Sequence, residues 1–201
     1  MARLQLNKSS LAREQTQLKS YERFLPSLDL KRQQLMAERV KARENVRKLQ
    51  DEVQELARQV GEKLPMLAQR GIDLDGLVEL KDYQVKEVNV VGVKMPDLDR
   101  IEVVVRPYST LAKPYWVDTT ASLLHDMIEA RLRVKVAKER VRIFDKAVAT
   151  ITQRVNLFEK VLIPRAKANI KKIRIYLSDE QMQAVVRSKI SKRKHAQEAL
   201  T

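Results

Sequence analysis

The sequence predicts a mainly α-helical protein: a long two-stranded antiparallel coiled coil formed by N- and C-terminal helices, with a small central β-hairpin region. Three observations predict it. Apolar residues recur in alternating steps of three and four through both ends of the chain. A short central stretch is dense in β-branched residues. Of the 201 residues, 44% are apolar but only 4% aromatic, with one tryptophan, so the side chains that fill a broad core are scarce.

The first helix begins after Leu6-Asn7-Lys8-Ser9-Ser10, which offers several oxygen-bearing N-caps. From Leu11 its seam reads Leu11, Glu14, Leu18, Tyr21, Leu25, Leu28, Arg32, Leu35, Arg39, Ala42, Val46, Leu49, Val53, Leu56 and Val60. Glu14, Arg32 and Arg39 put charge on that seam. Such residues fix register or meet a third partner, or their long stems lie along the seam with the heads in water. Pro26 removes one backbone hydrogen bond, yet Tyr21, Leu25 and Leu28 stay in phase across it, which predicts a kink and not a break.

Gly61 and Pro65 mark the exit from this helix, and Gly71 would cap a short helix starting at Pro65. Between Gly76 and Pro107 the clusters Val85–Val93 and Ile101–Val105 flank Met95-Pro96-Asp97-Leu98-Asp99. This reads as a hairpin with strands near 85–94 and 100–106 around a turn at 95–99. Pro107 and Pro114 mark a connector whose Tyr108, Tyr115 and Trp116 would pack the hairpin onto the helix ends. The organisation expected is a first coiled-coil helix over 1–60, a central region over 61–117, a second coiled-coil helix over 118–177, and a short helix and basic tail over 178–201.

Asp118 or Thr119 would cap the second long helix. Its seam, Leu123, Met127, Ala130, Val134, Ala137, Val141, Phe144, Val148, Ile151, Val155, Phe158 and Leu162, keeps the four-three alternation without a miss. At 1.5 Å per residue it would extend for roughly 60 Å. Beyond Leu162 the steps become four, four, three and four through Ala166, Ile170, Ile173 and Leu177. The extra four-step relaxes a left-handed supercoil, and Pro164 sits at the change, so the helix should straighten or bend there. Ser178-Asp179-Glu180-Gln181 reads as a capping box opening a last short helix.

Composition narrows the function. The net charge is +14, divided as +5 over residues 1–60, −1 over 61–117 and +10 over 118–201. There is no cysteine, which removes disulfides and thiolate metal sites and fits a reducing compartment. No apolar run approaches the ~18 residues that span a bilayer, so a membrane role would be peripheral. His125 and His195 stand apart, and Asp73/Asp75 and Asp97/Asp99 sit beside Gly or Pro, where turn formation explains them better than catalysis. The four glycines are too dispersed for a phosphate loop. No active site, metal, cofactor or bound nucleotide is expected.

The most informative segment is Thr152-Gln153-Arg154-Val155-Asn156-Leu157-Phe158-Glu159-Lys160-Val161-Leu162-Ile163-Pro164-Arg165. It resembles the C-terminal helix motif of the D subunit of the V-type and A-type rotary ATPases, in which Arg-Val-Asn, a following Glu and an apolar run ending Ile-Pro-Arg recur. Arg154, Val155, Asn156, Glu159, Pro164 and Arg165 match that motif residue by residue, with Phe158 in an apolar slot. Leu25–Leu35 is similar to the family's N-terminal motif of leucines before Lys-x-Lys-Arg-x-x-Leu, although Pro26 departs from it. The resemblance implies a non-catalytic central rotor stalk. Its coiled coil would enter the ring of catalytic A and B subunits, and its β-containing end would join the F subunit of the stalk and the membrane-side adaptor, the C/d subunit. Torque would then pass between ATP hydrolysis or synthesis and ion translocation, with the chain peripheral on the cytoplasmic face. Arg154 and Glu159 would be torque-bearing contacts or simply part of a solvated face. Two other readings of the residues are a nucleic-acid-binding helical hairpin, opposed by carboxylates scattered among the bases, and a non-rotary cytoplasmic scaffold.

Overall fold

The computed structural model describes residues 4–68, 74–109 and 114–198. Gly71 and Asp73, expected to cap a helix and to make a turn, lie outside them. In chain order the elements are helix α1 (Lys8–Lys63), a 3-10 turn (Pro65–Ala68), strands β1 (Val78–Val90) and β2 (Val93–Val105), helix α2 (Trp116–Leu157), a π-helical turn (Phe158–Leu162) and helix α3 (Ile163–Glu198). They form two compact units, one of residues 1–31 with 151–201 and one of residues 32–150.

Helix α1 starts where its cap is strongest. The Ser10 N–H donates to Asn7 Oδ1 at 2.7 Å, and the Leu11 N–H to the Asn7 carbonyl at 3.1 Å. The helix is continuous through Pro26, as its unbroken phase requires, and through Gly61 to Lys63, where Pro65 stops it. All fifteen seam positions named above are buried or half-buried, Leu35 most of all at 2% exposure, while most positions between them are exposed. The same holds of the twelve seam positions from Leu123 to Leu162.

In the unit of residues 32–150, the two helices run antiparallel. Asp145 on α2 accepts from Arg43 Nη2 at 2.8 Å and lies 3.7 Å from Arg39 Nη1. Phe144, one residue before it, is 2% exposed. A second core gathers Leu64, Leu77, Trp116, Val117, Ala121 and Leu123, with Val60 and Tyr108 against its edge. Tyr108 and Trp116 pack there as expected; Tyr115, expected beside them, is instead 82% exposed. Helix α2 begins at Trp116, two residues before the anticipated cap. The Val117 N–H reaches the Pro114 carbonyl at 3.1 Å, and Asp118 falls within the first turn, where its charge still faces the positive helix end.

The hairpin exists but its turn is elsewhere. Val90 pairs with Val93, so the loop is Val91-Gly92, with φ of 53° and 76°. Two successive positive φ values match the twist of a two-residue hairpin loop. The string Met95–Asp99, expected as the turn, lies inside β2. Pro96, opposite Glu87, is tolerated because each strand of a two-stranded ribbon has an open edge needing no donor. The register slips between Leu80 and Asp82 and between Gln84 and Val85, the second slip leaving Asp99 as an extra residue on β2. At the base of the hairpin, Gly76 has φ 71°, and a Cβ there would stand 3.0 Å from Arg106 Nη1. Val91 is a β-branched residue in the left-handed region, which L side chains resist. Val91→Asn is therefore expected to stabilise the protein by about 1 kcal/mol, read as a raised urea midpoint with an unchanged slope.

Candidate interaction site on the C-terminal helices

In the unit of residues 1–31 and 151–201, the seam of α2 and α3 is buried through Ile151, Val155, Ala166, Ile170 and Ile173. Two contacts with α1 set the alignment. The rings of Tyr21 and Phe158 meet edge to face, centroids 5.4 Å apart at 85°, and Lys167 Nζ lies 3.0 Å from Glu22 Oε1. The motif residues divide between two jobs. Val155, 2% exposed, and Phe158 pack the helices together, and Asn156 is half-buried. Arg154, Glu159, Pro164 and Arg165 are exposed, and Leu157 and Val161 expose nearly half their surface among them. Arg154 to Arg165 thus offers a surface of alternating charge and aliphatic carbon. Arg32 and Arg39 belong to the other unit; both are half-buried on the seam, and Arg39 reaches Asp145.

The break expected near Pro164 takes a specific form. Over Phe158–Leu162 the helix widens, and the Ile163 N–H bonds to the Phe158 carbonyl five residues back. The seam steps of four, four and four from Phe158 through Ile170 amount to a heptad pattern with one residue inserted, and a π turn absorbs one residue. Ala166, Ile170 and Ile173 therefore return to the buried side, 3%, 7% and 0% exposed. Pro164 fits just after the wide turn because it has no N–H to give to the Lys160 carbonyl. Since seam spacing alone demands the extra residue, Pro164→Ala is expected to keep the π turn. A crystal structure of the variant checks this; a regular α-helix through 158–166 would make the proline the cause. Helix α3 then runs unbroken to Glu198, so the capping box read at Ser178 opens no new helix.

Sequence reasoning missed Asp145, whose only signal was its position one residue beyond a seam phenylalanine, and misread Asp97. Asp97 bonds Arg140 of α2 at 2.9 Å and ties the hairpin to that helix. Beside this pair, hairpin and helices enclose a cavity of about 370 Å³ lined by Asn45, Leu98, Ile101, His125 and Glu129 among others. Two ion pairs stand in its lining, Asp97 with Arg140 and Glu129 with Arg133. Other charges serve locally. Arg58, with help from Gln59, holds the Glu55 carboxyl down to about 2, and the bond to Asp118 pushes the Tyr108 phenol above its ordinary value. Among the described residues, no three His, Asp or Glu side chains are grouped to hold a metal, and no helix is long and apolar enough to cross a membrane.

A seam-packed antiparallel helix pair, a β-hairpin between its arms, and a mixed polar and aliphatic outer motif define a coiled-coil protein. Its chain matches the family model described as the ATP synthase D subunit over residues 10–193, and it belongs to that family. It is 38% identical over 193 residues to the V-type ATP synthase D subunit of Borreliella burgdorferi, covering 96% of this chain and 95% of that one. The proteins of that name from Chlamydia caviae and Chlamydia abortus are each 31% identical to it, over 202 and 198 residues, covering 96% of this chain and 94% of theirs.

Proposed function

We propose that the chain is the central rotor stalk of a V/A-type rotary ATPase and carries torque between the A/B catalytic ring and the ion-translocating membrane sector. Its family membership along nearly the whole length is the observation that carries this reading. The physical demand on such a part is that a push on one helix turns both. Continuous seam burial, the Asp145 link to Arg39 and Arg43, and the Glu22–Lys167 pair meet that demand within each unit. Hydrolysis in the ring pushes on an asymmetric helix surface; in the other direction, ion flow turns the stalk and drives synthesis. The chain takes no part in bond chemistry and holds no nucleotide. Its partners are the A and B subunits, the F subunit of the stalk and the membrane-side C/d adaptor, on the cytoplasmic face and without a span of its own. Arg154, Glu159 and Arg165 are the torque-bearing contacts, with Val155, Asn156 and Pro164 shaping the helix that presents them. Arg32 and Arg39 hold register.

Affinity purification on this chain from its own cells tests the reading: both ring subunits should be recovered, and their absence would favour a non-rotary scaffold. In the reconstituted complex, Arg154→Glu with Arg165→Glu is expected to leave ATP hydrolysis running while ion pumping falls by about tenfold or more. Intact coupling would remove the torque assignment from these two residues.

A further inference from the structure

Strand β1 is bare along one edge. In a two-stranded ribbon each strand pairs on one side only, and β2 is the strand tied to α2, through Asp97 on Arg140. On β1, all nine residues from Glu79 to Glu87 are exposed. Val90 and Val93 flank a two-residue loop, and such a closing pair exchanges both of its backbone hydrogen bonds. Counting back from it, Val88, Lys86, Gln84 and Asp82 turn their N–H and C=O groups to β2, while Asn89, Glu87, Val85 and Tyr83 turn theirs outward. The Tyr83 N–H, with no strand on that side, donates to the carboxylate of its neighbour Asp82 at 2.8 Å.

This strand is its own complement. Laid antiparallel on a second copy about Gln84, Val78–Val90 sets Asp82 opposite Lys86, Lys81 opposite Glu87, Tyr83 opposite Val85, Leu80 opposite Val88 and Val78 opposite Val90. A register one residue away sets Lys81 against Lys86 or Asp82 against Glu87. Two residues away, Glu79 meets Glu87 or no charge meets its opposite. The matching register also brings the outward groups of Tyr83 to those of Val85, as a ladder requires. Lys81 and Glu87 already reach Glu102 and Lys94 across the ribbon, but among the described residues Asp82 and Lys86 have no ion pair. Charges on a free edge usually keep other strands away; here they select one. The central region, at −1, is also where two such basic chains can meet with least repulsion.

We propose that the open edge of β1 is an interface for a second copy of this chain, the two hairpins joining about Gln84 into a four-stranded antiparallel sheet. The inference concerns the chain by itself and does not rest on the stalk reading. Lys81 is the extra residue where β1 slips against β2, so the regular part of the joint is Asp82–Lys86 of each copy. So short a joint makes a weak, concentration-dependent dimer.

Sedimentation equilibrium of the purified full chain over about a hundredfold range of concentration measures the association. The wild type should dimerise. Asp82→Lys and Lys86→Asp each set like charges opposite one another and should weaken the dimer about tenfold or more. The exchange Asp82→Lys/Lys86→Asp should restore it. Both side chains are exposed, so helix content and thermal midpoint should not change. Register is read separately, because the chain has no cysteine. Gln84→Cys places two thiols directly opposite and should cross-link under mild oxidation about tenfold faster than Arg100→Cys on the far strand. A wild type that stays monomeric throughout overturns the proposal, as does a dimer indifferent to the single charge changes. An exchange variant no tighter than the single ones, or equal cross-linking of the two cysteines, places the contact elsewhere and overturns it as well. Each of these outcomes leaves the stalk reading standing.

Discussion

Ile173→Asp is expected to unfold the helix pair of residues 1–31 and 151–201, at a cost of about 4 kcal/mol or more. Ile173 has no exposed surface and stands on the seam side of α3 between Ile170 and Leu177. An aspartate there would be a buried charge with no cation beside it on its own helix face, since Lys171, Lys172 and Arg174 project to other sides. The seam does accept charge elsewhere, at Arg32 and Arg39, because a long stem can carry its head to water or, in Arg39, to Asp145. An aspartate has no such reach. Ile173→Val is the control, costing about 0.5–1.5 kcal/mol. Circular dichroism during urea unfolding measures both; a variant as stable as its valine control would mean that the seam is open at this level.

Phe144→Ala is expected to destabilise the other unit by about 3–5 kcal/mol, through lost burial and the cavity left behind. Phe144 is the largest of the fully buried side chains and sits on the seam one residue from the carboxylate that Arg39 and Arg43 share. Two small residues, Ala137 and Ala42, are its seam neighbours on α2 and α1, so little nearby volume can move in to fill the gap. A conservative Phe144→Leu keeps most of the volume and should cost clearly less. Equal stability of the alanine variant and the wild type in thermal unfolding would contradict the close packing described here.

The two seams were legible at once, because a period of 3.5 residues over forty or more positions has no other structural use. Each of their positions, from Leu11 to Val60 and Leu123 to Leu162, is at least half-buried. The hairpin's existence was legible from its valines, but not its turn. Pro96, Asp97 and Asp99 carry turn chemistry, while the true loop puts a valine at positive φ, against its local preference. Cross-strand pairing from Val78 to Val105 outweighs that strain over twelve residue pairs. The motif from Arg154 to Arg165 was visible as a string of letters. Its division into a packed side at Val155 and Phe158 and a bare side at Arg154, Glu159, Pro164 and Arg165 follows from helical phase.

What the sequence alone determined is the pairing of the chain's two ends into a coiled coil and the family to which it belongs. Both are written in residue spacing and residue identity, which need no coordinates. Only the tertiary structure decided how an inserted residue is absorbed, as a π turn before Pro164, and which charges become ties, as Asp145 and Asp97 do. Those outcomes depend on what lies across from each residue in space. A one-dimensional pattern records the side a residue faces, but not the partner waiting there.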